Sequence, residues 1–295
     1  MALPTDVARD RAARLIAAQR RSQSNPDDEA TLVLHGRRLA ELGRLREAVA
    51  VYSAGLDRNP HDARLRRRRA ELLLLLREPD AALAELDQAV TRARTTPDRR
   101  EYTEDDEGNL TAGSTLHASH WLRGIAHYVR GDPARALIDL TEAARTASHA
   151  DELVATEYWL YLTLRRLGRP VEAREVLRAM PPESVVVARR PEWRVLRTLG
   201  GSRPLDSLQL DVLATGDREA ETIYLYGLAV TMLTGGQAAE GKALLGIVGP
   251  LGQWHQLAAV AADADLARLA APCPGPLPAL PTDRRWDRCR GMRRR

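Results

Sequence analysis

A chain of 295 residues with 44% hydrophobic and 28% charged content has an ordinary globular composition, long enough for one large domain or two small ones. It contains no run of 18 apolar residues, which argues against a spanning helix, and its two cysteines, Cys273 and Cys289, are too few for a disulfide framework and lack metal-ligand spacing. The segment from Asp283 to Arg295 carries +5, seven arginines against two aspartates, and the whole chain +4, so the near-neutral body, at about −1, gives no reason to expect nucleic acid as a partner.

Taken in chain order, residues 1–24 form a lead-in segment with an amphipathic helix over Thr5 to Ser22. Arg9, Arg11, Arg14, Arg20 and Arg21 stud it, and it lacks the apolar core of a secretory leader, so a cytoplasmic setting is expected. Asn25-Pro26 reads as a helix N-cap followed by a proline in the first turn. From Glu29 to Asp62 small residues fall at Gly36, Ala48 and Gly55, bulky ones at Leu32, Leu39 and Tyr52, a turn glycine at Gly43 and a stop at Pro60. Stepping 34 residues gives Ala70, Ala82 and Ala89. In the same frame follow Gly124, Gly131, Ala136 and Ala143, then Tyr161, Gly168, Ala173 and Leu177, then Ala229, Gly236, Gly241 and Leu245. A period of this length predicts stacked helical hairpins. Small residues let two antiparallel helices approach, bulky ones fill the space to the next pair, and glycine supplies the turn between them.

This pattern resembles the tetratricopeptide repeat family, and the segment before Ser114-Thr115-Leu116 together with Gly252-Gln253-Trp254 resembles a bacterial subgroup of it. The second repeat departs from the family: Arg66 and Arg69 stand where apolar residues belong, and Arg77 replaces the turn glycine. The resemblance implies an all-α, right-handed α-solenoid over 25–271, with repeats at 29–62, 63–96, 116–149, 154–187 and 222–253. Between them lie an acidic insert at 97–115 and a degenerate pair at 188–221, with helices over Glu192 to Leu199 and Leu205 to Ala214. A capping helix at 254–271 and a Pro-rich, then Arg-rich disordered tail at 272–295 complete the chain. It also implies an interaction module or scaffold that binds a protein or peptide segment in its concave groove. Carried over position by position, the groove candidates are Arg37, Arg67, Glu71, Trp121, Ile125, Tyr128, Tyr158, Leu162 and Tyr226, with Arg165 and Arg166 beside them. Aromatic anchors with arginine donors suit peptide recognition.

Other readings are weaker on chemical grounds. His117, His120 and His127 share one helix, but no second element offers an obvious ligand, so packed and hydrogen-bonded histidines are expected and no metal or cofactor is implied. Glycine-rich phosphate loops, nucleophile elbows and zinc-protease motifs are absent, so no catalytic residue is assigned. The alternative is a small-molecule pocket closed by the insert, which bunches Glu101, Glu104, Asp105, Asp106 and Glu107 and would fold over Arg64 to Arg69 as a lid. The sequence does not set the oligomeric state.

Overall fold

The computed structural model describes residues 5–96, 100–104, 110–200, 216–251 and 255–271. Among them are thirteen α-helices and one two-stranded hairpin. The lead-in helix is α1 (Thr5–Ser24), whose Leu15, Ala18 and Ser22 are buried where it packs on α2 (Glu29–Glu41). Hairpins follow as α2 with α3 (Leu45–Arg58), α4 (Ala63–Leu75) with α5 (Pro79–Thr95), α6 (Thr115–Arg130) with α7 (Pro133–Thr146), and α8 (Ala150–Arg166) with α9 (Pro170–Arg178). Helix α10 (Arg190–Leu199) packs on α8, and the last pair is α11 (Arg218–Thr234) with α12 (Ala238–Val248). Through α8 each helix packs on the next, which makes the array the right-handed α-solenoid that the repeats imply.

Local chemistry sets the helix ends. Pro79, Pro133 and Pro170 open the second helix of three hairpins, where their missing N–H costs nothing. Gly43, Gly131, Gly168 and Gly236 close the first helices in the left-handed region, with φ of 74°, 89°, 69° and 94°. Arg77 takes the same conformation at φ 65° and makes the same turn, its N–H reaching Leu74 O and that of Glu78 reaching Leu73 O, both at 2.9 Å. A side chain there costs about 1–2 kcal/mol that glycine avoids.

Close approach explains the small residues. A methyl group built on Gly36 would lie 2.3 Å from Tyr52 Cε1, and Tyr52 is buried with its hydroxyl donating to Val33 O. Gly36→Ala is expected to lower the unfolding free energy by about 2–3 kcal/mol, the cost of overpacking a ring that has no room to swing. Urea denaturation checks this; an unchanged midpoint would mean the first hairpin is looser than its contacts. In the second repeat, Arg66 and Arg69 replace apolar packing with a shared acid. Arg66 donates to Glu85 Oε2 at 3.0 Å, and Arg69 pairs with Glu85 Oε1 and reaches Ser53 at 3.0 Å.

Several expectations are corrected. The N-cap of α2 is Asp28, whose carboxylate accepts from Ala30 N at 3.0 Å, and not Asn25, whose N–H closes α1 on Arg21 O. Within the insert, β1 (Arg100–Glu104) and β2 (Leu110–Ser114) pair antiparallel, with Arg100 opposite Ser114 and Glu104 opposite Leu110, strands that the repeat frame does not include. Tyr102, Thr103 and Thr111 are strand formers that the acidic run concealed. The hairpin is anchored where Ser114 N–H donates to Glu152 Oε1 at 3.0 Å. The lid acids Asp105 to Glu107, the helix expected at Leu205 to Ala214, Trp254 and the tail 272–295 lie outside the described residues.

The terminal helix α13 (Leu257–Ala270) does more than cover an open end. It packs on its neighbour α12 and also across α11, α6 and α4, the first helices of three hairpins. Ala258, Ala259, Val260, Ala261 and Ala262 are each no more than 3% exposed. Five successive residues point to every side of a helix, so this half of α13 is enclosed all round.

Candidate functional site

Helix α13 packs across the first helices of three hairpins, α4, α6 and α11, which form a wall beneath it. The residues that the repeat frame assigns to the groove have unlike surroundings. Ile125, Tyr128, Tyr158, Leu162 and Tyr226 share one core with Ala258 to Ala262 and are at most 1% exposed. Of these, Tyr226 reaches α13 through Asp265, whereas the Tyr158 hydroxyl donates to Ile223 O of α11 at 2.7 Å. Trp121 is half-buried; its indole N–H donates to Ala155 O at 3.2 Å, and the Arg189 guanidinium lies 5.9 Å from its ring centroid. Toward α2 the wall is polar: Arg37 Nε donates to Glu41 at 3.0 Å, while Arg67, buried, stands 3.6 Å from the half-exposed Glu71.

One carboxylate ties α13 to the wall. Asp265 is 6% exposed and pairs with Arg166, at the end of α8. Tyr226 Oη donates to Asp265 Oδ2 at 2.9 Å and, 3.0 Å from Tyr128 Oη, accepts the Tyr128 proton, because one hydroxyl has one hydrogen to give. Arg268 bridges Asp265 Oδ1 and Val129 O, each at 2.5 Å. The Arg166 guanidinium also sits 3.8 Å over the Tyr128 ring centroid and donates to Tyr226 Oη at 3.0 Å. Burial alone would depress the Arg166 guanidinium; Tyr128, Tyr226 and Asp265 beside it hold it above its ordinary value, so it stays charged. Burial pushes both tyrosine hydroxyls up, so they remain donors. Trp159 completes the box, its ring 5.3 Å from Tyr128 edge-on and 5.9 Å from Tyr226. A second tie is exposed: Arg77 reaches Asp263 Oδ2 from Nη2 at 2.7 Å and from Nε at 3.1 Å.

The repeat frame assigns Arg166 to a groove position, whereas Asp263 and Asp265 fall outside every repeat. Their signal was two carboxylates in an otherwise Ala- and Leu-rich helix. The histidines of α6 serve packing: His117 Nδ1 donates to Ala143 O at 2.9 Å, and His120 Nδ1 donates to Asp139 at 2.9 Å. Arg123 binds the same carboxylate through two nitrogens. Burial would raise the Asp139 carboxyl, but hydrogen bonds from His120 and Arg123 hold it below the usual range. Burial lowers His117 and His127. Among the described residues no group of three or more His, Cys, Asp or Glu could hold a metal ion, and no helix is long and apolar enough to cross a membrane. A cleft of about 510 Å³ opens between the loops before α2 and α4, lined by Asp27, Glu29, Arg58, Asp62 and Arg64.

Residues 39–100 match the family model of the tetratricopeptide repeat. No curated protein matches the sequence. Solved structures similar to the chain include that of YrrB, described as a TPR protein with an unusual peptide-binding site, 14% identical over 84% of this chain and 98% of that one, with a TM-score of 0.43. Another is a tetratricopeptide repeat protein from Parabacteroides merdae, 14% identical over 84% and 89% of the two chains, with a TM-score of 0.46.

Proposed function

We propose that this chain, which carries tetratricopeptide repeats, is a protein-interaction module whose concave wall receives a helical segment of a partner protein, in the bacterial cytoplasm. The observation that supports this reading is the wall's resident ligand. Residues 257–270 are an Ala-rich segment of the same chain, seated on helices of three separate hairpins by apolar burial and by ion pairs from the wall. Under this reading Tyr226 and Arg166, which hold Asp265 of the chain's own helix, are the contacts that a partner's helix would use. A tethered occupant competes at an effective concentration on the order of mM, so a partner binds strongly only when its contacts exceed those of α13.

The test uses full-length chain. A fluorescein-labelled peptide with the sequence of residues 255–271 is titrated into the wild type and into Asp265→Arg, whose own helix no longer fits the wall. Saturable binding to the variant, at least tenfold tighter than to the wild type, is expected. Absence of binding to either chain, with the variant's helicity intact by circular dichroism, would show that the wall is no receptor.

A further inference from the structure

We infer that the wall selects helices carrying an Asp-Xaa-Asp pair beside a run of alanines, and that a partner segment of this chemistry enters by displacing residues 257–270. The inference rests on the receptor reading above and names the partner. Asp263 and Asp265 are two residues apart, so they project on nearly opposite sides of α13. Each meets an arginine from a different hairpin: Arg77, in the turn after α4, takes Asp263, and Arg166, at the end of α8, takes Asp265. The wall therefore grips the helix from two flanks.

The two arginines are prepared for a carboxylate. Arg166 is held in place over the Tyr128 ring and against Tyr226 Oη, and its side chain is only 15% exposed. A buried cation without a counter-charge is costly, so a helix that brings a neutral side chain to this point is rejected, and a basic one more so. Arg77 stands where Gly43, Gly131, Gly168 and Gly236 occupy the equivalent turns, in a backbone conformation that a side chain disfavours. Glycine there would relax the turn and would present nothing to Asp263. The alanine run sets the second criterion. Ala258, Ala259, Ala261 and Ala262 are enclosed, so side chains longer than a methyl group have no space at those points.

Three labelled peptides of residues 255–271 separate the possibilities when titrated into full-length Asp265→Arg: the parent sequence, one with Asp265→Asn and one with Asp263→Asn. The Asp265→Asn peptide is expected to bind at least 50-fold more weakly than the parent. The Asp263→Asn peptide, which loses only an exposed pair, is expected to bind about fivefold more weakly. Should Asp265→Arg not fold, Ala261→Trp opens the same wall by bulk and receives the same peptides. In the wild-type chain, saturating unlabelled parent peptide is expected to speed amide exchange of residues 257–270 at least tenfold. Equal affinity for all three peptides would overturn the selectivity and leave the receptor reading standing. Exchange unchanged in the wild type, with the opened variant binding normally, would overturn displacement. No binding of any peptide would remove the receptor reading itself.

Discussion

Asp265→Ala is expected to lower the unfolding free energy of the chain by about 3–5 kcal/mol, a large share of what a domain of this size possesses. The size follows from what the substitution leaves behind. Asp265 accepts from Arg166, Tyr226 and Arg268, and Arg166 is fixed by the Tyr128 ring beneath it. Without the carboxylate, a mostly buried guanidinium keeps its charge and loses its counter-ion. A second substitution distinguishes this from simple loss of contacts. Arg166→Met alongside Asp265→Ala removes the orphaned cation and is expected to restore more than half of the loss, because replacing a buried pair by apolar groups is nearly neutral. Urea titration at fixed pH measures both. A loss below about 1 kcal/mol for Asp265→Ala would mean that the network is not what holds α13.

Glu157→Gln is expected to raise stability above neutrality by about 3 kcal/mol and to change it little near pH 4. Glu157, on α8, is 4% exposed; its Oε2 has no hydrogen-bond partner among the described residues, and burial raises its carboxyl from 4.5 to about 7. The folded chain therefore holds a proton that the unfolded chain releases above pH 4.5. Its contribution is fully present below that value and is lost as pH rises through about 7. The histidines act in the opposite sense. Burial lowers His35, His117 and His127 below 6.5, so their contribution is present above 6.5 and falls away as the solution becomes more acid. Wild-type stability should thus decline on both sides of a maximum, whereas Glu157→Gln should decline on the acid side alone. Denaturation midpoints from pH 4 to pH 9 show the difference; parallel curves for the two chains would mean that Glu157 is ionised in the fold.

The hairpins were legible because each local signal agreed with the next. Gly36 against Tyr52, prolines at the starts of α5, α7 and α9, and left-handed turns at fixed offsets all describe contacts between neighbours in sequence. The repeat frame also assigned Tyr128, Tyr158 and Tyr226 to the groove. The occupancy of that wall was not legible. A repeat frame encodes nearest-neighbour packing, whereas the seating of α13 on α4 joins Arg77 to Asp263, residues that lie 186 positions apart. It depends on a small rotation accumulated over every hairpin, which no single repeat records. The paired strands were hidden for a different reason: two runs of five residues, one of them acidic, carry little strand signal. Arg66 and Arg69 looked like defects of the second repeat because their counter-charge, Glu85, belongs to the facing helix.

Amide hydrogen exchange across Ala258 to Asp263 in the intact chain tests most directly whether the groove is occupied. With α13 enclosed by the wall, these amides should be protected to the same degree as those of Ile125 to Val129 in α6, the core they share. Exchange within seconds, while α6 remains protected, would mean that the terminal helix stands away from the wall and that the groove is open in the free protein.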